Sequence, residues 1–282
     1  MSSSIETQLS NLNPLQRRMI KRARAGDRLA RLWLAPEELD ASFDPWQCTA
    51  ISEMVTRQHD VLMCCCRGAG KSRVFGAAGY LEACTVGGFA MILSRSDRQA
   101  LRVISQVKLY ANRLQLQPIV TENMHELVFA NGGRVLALPC SGDTIIGEHG
   151  VTLMGIDEAA RIKDAFYAVV SPMLAVSEAV TGIKPRQALL STPWGRSGFF
   201  YNEWDRAQRG ESKFKTFRST WQDCPRISPE FVEEERRKHG DWWVKQEYET
   251  EFLATENCSF DMDAMAGAVQ GESDGPERRY DW

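Results

Sequence analysis

The stretch Cys65-Cys66-Arg67-Gly68-Ala69-Gly70-Lys71-Ser72 constrains this chain more than any other feature of it. It follows directly on an apolar run over residues 61–66 and opens a predicted helix at Lys71. Strand, glycine-rich loop, Lys-Ser and helix together form a phosphate cradle, in which backbone N–H groups and the helix N-terminus face the anion. In such a loop Lys71 reaches the β- and γ-phosphates, and the Ser72 hydroxyl ligates Mg²⁺. Cys65 stands where the usual pattern has its first glycine. A dinucleotide loop would need a third glycine where Arg73 stands, which argues against that alternative.

A second string lies roughly ninety residues downstream, Val151-Thr-Leu-Met-Gly-Ile-Asp157-Glu158. Alone it reads as a strand end with surface acids. Behind a phosphate loop it has what nucleoside triphosphate hydrolysis needs: Asp157 to hold Mg²⁺ and Glu158 to orient and deprotonate the attacking water. Upstream, Phe43-Asp-Pro45-Trp46-Gln47 is either a packed aromatic near a helix start or an adenine platform. In the second case Trp46 stacks on or walls the base and Gln47 reads its amino edge. The string Leu189-Leu190-Ser191-Thr192-Pro193-Trp194-Gly195 is either a plain strand end or a device that places the Thr192 hydroxyl against the γ-phosphate.

The rest of the chain supports an α/β reading. Apolar runs at 61–66, 89–93, 151–156 and 188–190 alternate with helical spacing at 71 onward, 97–114, 164–176 and 199–208. Asn131-Gly132-Gly133 marks a hairpin between 127–130 and 134–138. A further strand is expected at 214–217, and Ser228-Pro229 starts a helix as N-cap and first turn. Such alternation means a mostly parallel sheet with helices on both faces. Lys and Arg number 34 against 37 Asp and Glu, a net charge of −3, which excludes a uniformly basic nucleic-acid binder but not a local basic groove. Eight cysteines lack any CxxC spacing, and three of them are contiguous. They read as reduced, small buried hydrophobes of a cytoplasmic protein. No run is apolar and long enough to span a membrane, and no secretion signal opens the chain. Residues 14–34 read as one basic helix, either a solvated face or an arm for nucleic acid or a partner.

Taken together, these motifs resemble the ATPase domain of the large terminase subunit, the motor that packages DNA into tailed-phage capsids. Phe43-Asp-Pro-Trp-Gln is similar to the family's adenine motif, Arg67 to its phosphate-loop arginine, Ile156-Asp157-Glu158-Ala159-Ala160-Arg161 to its Walker B segment, and Ser191-Thr192-Pro193 to its coupling motif. Segments around Ser197, Asp223 and Gln246-Glu247-Tyr248 resemble the family's downstream parts. The likeness covers about residues 40–260. It implies a P-loop NTPase of the additional-strand type with mostly parallel sheet, divided as a basic helical arm at 1–40, an ATPase domain at 41–260 and an acidic tail or linker at 261–282. It also implies ATP and Mg²⁺ held by Trp46, Gln47, Arg67, Gly68, Ala69, Gly70, Lys71, Ser72 and Asp157. Glu158, Arg67 and Thr192 would serve the chemistry. The implied partners are double-stranded DNA, a small terminase subunit, a portal protein and further copies in a ring, in the host cytoplasm.

Two departures qualify the resemblance. An RNase H-like nuclease domain is expected to be absent, since Asp261 and Asp263 lie in a segment with no sheet to hold them, and so no nuclease activity is expected. Ile146 falls where the family carries an arginine before Walker B; Arg67 is expected to position phosphates but to be insufficient alone, and Arg161 is either a substitute or a surface charge. The alternatives are a helicase-like ATPase and a prophage remnant that binds nucleotide without motor activity. Fewer than about 130 residues follow Glu158, short of the second domain a helicase requires.

Overall fold

The computed structural model describes residues 22–23, 27–56, 59–140 and 147–254 of the 282-residue chain. Ile146, Asp261, Asp263 and the segment 261–282 lie outside the described residues, as does most of the basic arm. Within that arm the expectation of one unbroken helix needs correction. Asp27 has extended backbone (ψ 108°), and its carboxylate accepts the Ala30 N–H at 3.0 Å, so helix α1 (Arg28–Leu34) starts afresh behind its own cap.

The chain continues through α2 (Pro45–Thr56), β1 (Asp60–Cys65), α3 (Lys71–Ala83), β2 (Phe89–Ser94), α4 (Asp97–Leu114), β3 (Ile119–Glu122), β4 (Glu126–Phe129) and β5 (Arg134–Pro139). It then forms β6 (Leu153–Asp157), α5 (Asp164–Val170), α6 (Ser177–Thr181), β7 (Arg186–Ser191), α7 (Gly198–Gln208), β8 (Phe214–Ser219), α8 (Pro229–His239) and α9 (Asp241–Glu247). The helix expected over 164–176 stops at Val170. Pro172 has no N–H to continue it, and residues Ser171–Leu174 tighten into a 3₁₀ turn.

All eight strands form one sheet, in the order β3-β4-β5-β2-β6-β7-β1-β8. Every neighbouring pair from β5 to β8 is parallel, while β3 and β4 fold back antiparallel on β5. Strand β7 lies between β1 and β6, so an additional strand separates the one leading into the phosphate loop from the one ending in Asp157.

Successive residues of the inner strands enter different cores. Val61, Met63 and Cys65 pack with residues of α2, α3 and α4, as do Ala90, Ile92, Val135 and Ala137. Leu62, Cys64, Phe89, Met91, Leu93 and Leu136 pack with Val170, Phe199 and Phe200 from the other face. This is why those strands read as continuous apolar runs. Gly155 in β6 admits α3: a Cβ there would lie 2.6 Å from the Phe75 ring. Of the six parallel strands, β1, β6 and β7 lead at one edge of the sheet into the sharpest sequence motifs, the place where open α/β sheets hold ligands.

Candidate nucleotide-phosphate site

The loop after β1 is shaped by two glycines. Gly68 and Gly70 have φ of +81° and +82°, a conformation that L side chains rarely adopt. Gly70 is also the N-cap of α3 and offers no side chain, so the Lys71 and Ser72 N–H groups stay available to an anion, while that of Arg73 donates to the Gly70 carbonyl at 3.0 Å. Behind the loop, Gln47 from α2 is fully buried. Its Nε2 donates to the Ala69 carbonyl at 2.7 Å, and its Oε1 accepts the Asp44 N–H at 2.8 Å. Asp44 in turn holds Arg226 through two hydrogen bonds of 2.9 and 2.6 Å.

The motif Phe43-Asp-Pro-Trp-Gln thus braces the loop from beneath. Trp46 packs half-buried against the first core, and neither Trp46 nor Gln47 lines the cleft above the loop. Both ends of the Gln47 amide are engaged by protein, so the structure gives it a bracing contact rather than an open base-reading edge.

That cleft has a volume of about 1050 Å³. It gathers Arg67, Gly68, Gly70, Lys71 and Ser72 from the loop, Asp157 and Glu158 from the end of β6, and Thr192 from the end of β7. Lys71, the first residue of α3, is almost wholly buried. Its Nζ donates to the Cys66 carbonyl at 3.3 Å and stands 4.0 Å from Glu158 Oε1. Burial works against its charge, but the Glu158 and Asp157 carboxylates outweigh it and hold the Lys71 pKa above its ordinary value.

Asp157 is buried beside Glu158. Desolvation first, and the Glu158 charge second, push its carboxyl up to about 7, while Lys71 and a hydrogen bond with Ser72 pull the other way. Glu158 itself has φ +54°, one of three described non-glycine residues in the left-handed region, and its N–H donates to Asp157 Oδ1 at 3.0 Å. Its carboxylate lies between two cations, with Arg161 Nε 3.7 Å from Oε2. The Thr192 hydroxyl is buried at the cleft and has no hydrogen-bond partner. A buried hydroxyl left unanswered is costly and points to a partner that arrives with a ligand.

Motif reading did not single out Glu247, Trp194, Arg95 or Trp243 as site residues, yet all four line the same cleft. Arg161 lies over the Trp194 ring at 3.7 Å, and the Arg67 guanidinium is 5.7 Å from the centre of Trp243. Trp243 and Glu247 come from α9, a seven-residue helix whose only sequence signal was its place in a downstream segment.

Residues 62–265 match the family described as the terminase large subunit, T4likevirus-type, N-terminal. The chain belongs to this terminase family. Its fold is that of solved terminase ATPase domains, hence a P-loop NTPase. The Thermus phage P74-26 large terminase ATPase domain superposes with a TM-score of 0.59 at 20% identity, over 71% of this chain and 91% of that one. The large terminase of the thermophilic bacteriophage D6E gives 0.61 at 15% identity, over 78% of this chain and 57% of its own. The HK97 bacteriophage large terminase gives 0.55 at 15% identity, over 75% and 50%. The terminase chain described here therefore spans about half the length of those two proteins. No curated protein sequence matches it. Among its described residues no helix is long and apolar enough to cross a membrane.

Proposed function

We propose that residues 41–260 are an ATPase domain that hydrolyses Mg-ATP to drive double-stranded DNA into a viral procapsid. The observation that carries this reading is the convergence of Lys71, Asp157, Glu158 and the unanswered Thr192 hydroxyl on one cleft over a glycine-shaped loop. The D6E large terminase, which shares the fold, has been solved with ADP and with ATP-γ-S.

In this reading the bare N–H groups of the loop and of the first turn of α3 bind the β-phosphate. Lys71 leaves the Cys66 carbonyl for the β- and γ-oxygens, and Arg67 adds a second cation. The Ser72 hydroxyl and the Asp157 carboxylate suit Mg²⁺, which, when bound, neutralises charge on the transferring phosphate. Asp157, whose carboxyl is pushed up to about 7 without metal, would be ionised with Mg²⁺ held there. Glu158 receives the proton of the attacking water. Thr192 closes its open hydrogen bond on the γ-phosphate or that water, and the end of β7 registers whether the γ-phosphate is present.

Family membership supports DNA, a small terminase subunit, a portal protein and a ring of further copies as partners, in the host cytoplasm. The reading is tested by ATP hydrolysis and equilibrium ATP binding in the full chain and in Lys71→Ala. Hydrolysis should vanish and affinity should fall at least about tenfold, or about 1.4 kcal/mol. Equal affinity in the variant would sink the assignment.

A further inference from the structure

Glu247, the last residue of α9, is a carboxylate with no solvent exposure. Its two oxygens serve different arginines. Oε2 accepts the Nε–H of Arg67 at 3.1 Å, and Oε1 accepts an Nη2–H of Arg161 at 2.8 Å. The backbone is tied as well, since the Arg67 N–H donates to the Glu247 carbonyl at 2.7 Å. One arginine belongs to the phosphate loop and the other to the turn after β6, and both line the cleft.

What each arginine keeps in reserve is telling. Arg67 spends only Nε on Glu247, and its side chain is 58% exposed, so both terminal amino groups are left for phosphate oxygens. Arg161 sits over the Trp194 ring with its Nε 3.7 Å from Glu158 Oε2. A buried carboxylate between two guanidinium groups is poor evidence for added stability, because desolvation offsets much of the attraction. What it does provide is orientation, since the guanidinium fork is rigid and directional.

We propose that Glu247 is a positioning residue for phosphoryl transfer. It aims the free fork of Arg67 at the transferring phosphate and fixes Arg161 against Glu158, so that both cations come from the chain that carries the phosphate loop. The proposal rests on the ATPase reading above. A role confined to docking α9 makes a different forecast. Removing a negative charge from beside two cations favours phosphate binding, so lost positioning lowers kcat without raising KM.

The experiment is steady-state Mg-ATP hydrolysis, calorimetric titration with ADP, and thermal unfolding of the full chain and of Glu247→Gln. The expected kcat falls about tenfold or more, while KM and the ADP Kd are no weaker than in the parent. Arg161→Gln should lower kcat similarly, and the double variant should fall no further than the worse single, because the two act as one unit. A Glu247→Gln kcat within about threefold of the parent, or a double-variant loss equal to the product of the two single losses, overturns the proposal.

Should Glu247→Gln unfold early, Arg161→Lys decides. It keeps the charge but not the fork, and a loss of about tenfold in kcat supports the proposal while a loss under about threefold overturns it. A parent that neither hydrolyses ATP nor loses ADP affinity in Lys71→Ala fails the ATPase reading instead, which the titration shows independently of Glu247.

Discussion

Thr192 is buried with a hydroxyl that no protein group answers, and that makes it informative on its own. Replacing it with valine removes the unanswered hydroxyl and keeps the shape. Thr192→Val should therefore leave the nucleotide-free protein as stable or about 1 kcal/mol more stable, since the unpaired group costs about that much. Turnover should drop markedly. Urea unfolding and hydrolysis measured on the same sample check both halves, and a destabilised variant would mean the hydroxyl has a protein partner.

Asp157 sets a pH dependence. Its native pKa of about 7 lies above the ordinary 3.8. Below pH 4 both folded and unfolded states hold the proton. Between 4 and 7 the unfolded state loses it first, so this group lowers stability as pH rises and levels off above 7. Asp157→Asn should thus raise the melting temperature of the metal-free protein at pH 8 and leave it unchanged near pH 4. Lys71, Ser72, Asp157 and Glu158 were legible because motif spacing carries them. Glu247 was not: Arg67 lies 180 positions away in sequence, and no local pattern marks a carboxylate whose partners arrive only with the fold. For Phe43-Asp-Pro45-Trp46-Gln47 the string leaves a packed helix start and a base platform both open, because it shows the Gln47 amide but not where it points.

Among the elements, α3 and β7 share the heaviest buried charge. Glu82 of α3 and Arg186 of β7 form a buried ion pair, and Arg186 also donates to the Thr152 carbonyl at 2.8 Å. Removing one partner leaves the other charged in the core. Arg186→Met should cost about 3–5 kcal/mol by urea unfolding, whereas Arg186→Met combined with Glu82→Leu should recover most of that loss. A single variant as stable as the parent would show that the pair is not load-carrying. The buried strands were legible as apolar runs because both their faces are covered. Strand β3 was not, since most of its residues face solvent and show no alternation. Helix α9 was too short to show a period, and the end of α5 turned on one proline.

For the whole molecule, strand order is the part that local pattern leaves open. Periodicity marks β1, β6 and β7 as strands but does not place β7 between the other two, and only the resemblance to terminases anticipated that insertion. The order puts β1 between β7 and β8, and α9 with the segment after it seals the phosphate loop. Cys66 N–H donates to the Ser219 carbonyl at 2.8 Å, Arg67 N–H to the Glu247 carbonyl, and Trp221 N–H to the Tyr248 carbonyl at 2.9 Å. A chain ended at Gly240 should therefore lose at least about tenfold in ATP affinity although the phosphate loop, Asp157-Glu158 and Ser191-Thr192-Pro193 all remain. Wild-type binding by that fragment, read by titration, would show that the loop holds its shape unaided.

The Arg67 clasp on Glu247 also bears on how the protein is made. A ribosome that has reached residue 240 has already translated the lysine, both acids and the threonine of the site, yet the strap that closes their loop has not been synthesised. The nascent chain carries a full set of parts with no finished pocket. If the clasp shapes the loop, a nascent chain should bind nucleotide at least about tenfold more weakly until synthesis has passed Glu247 and α9 has emerged.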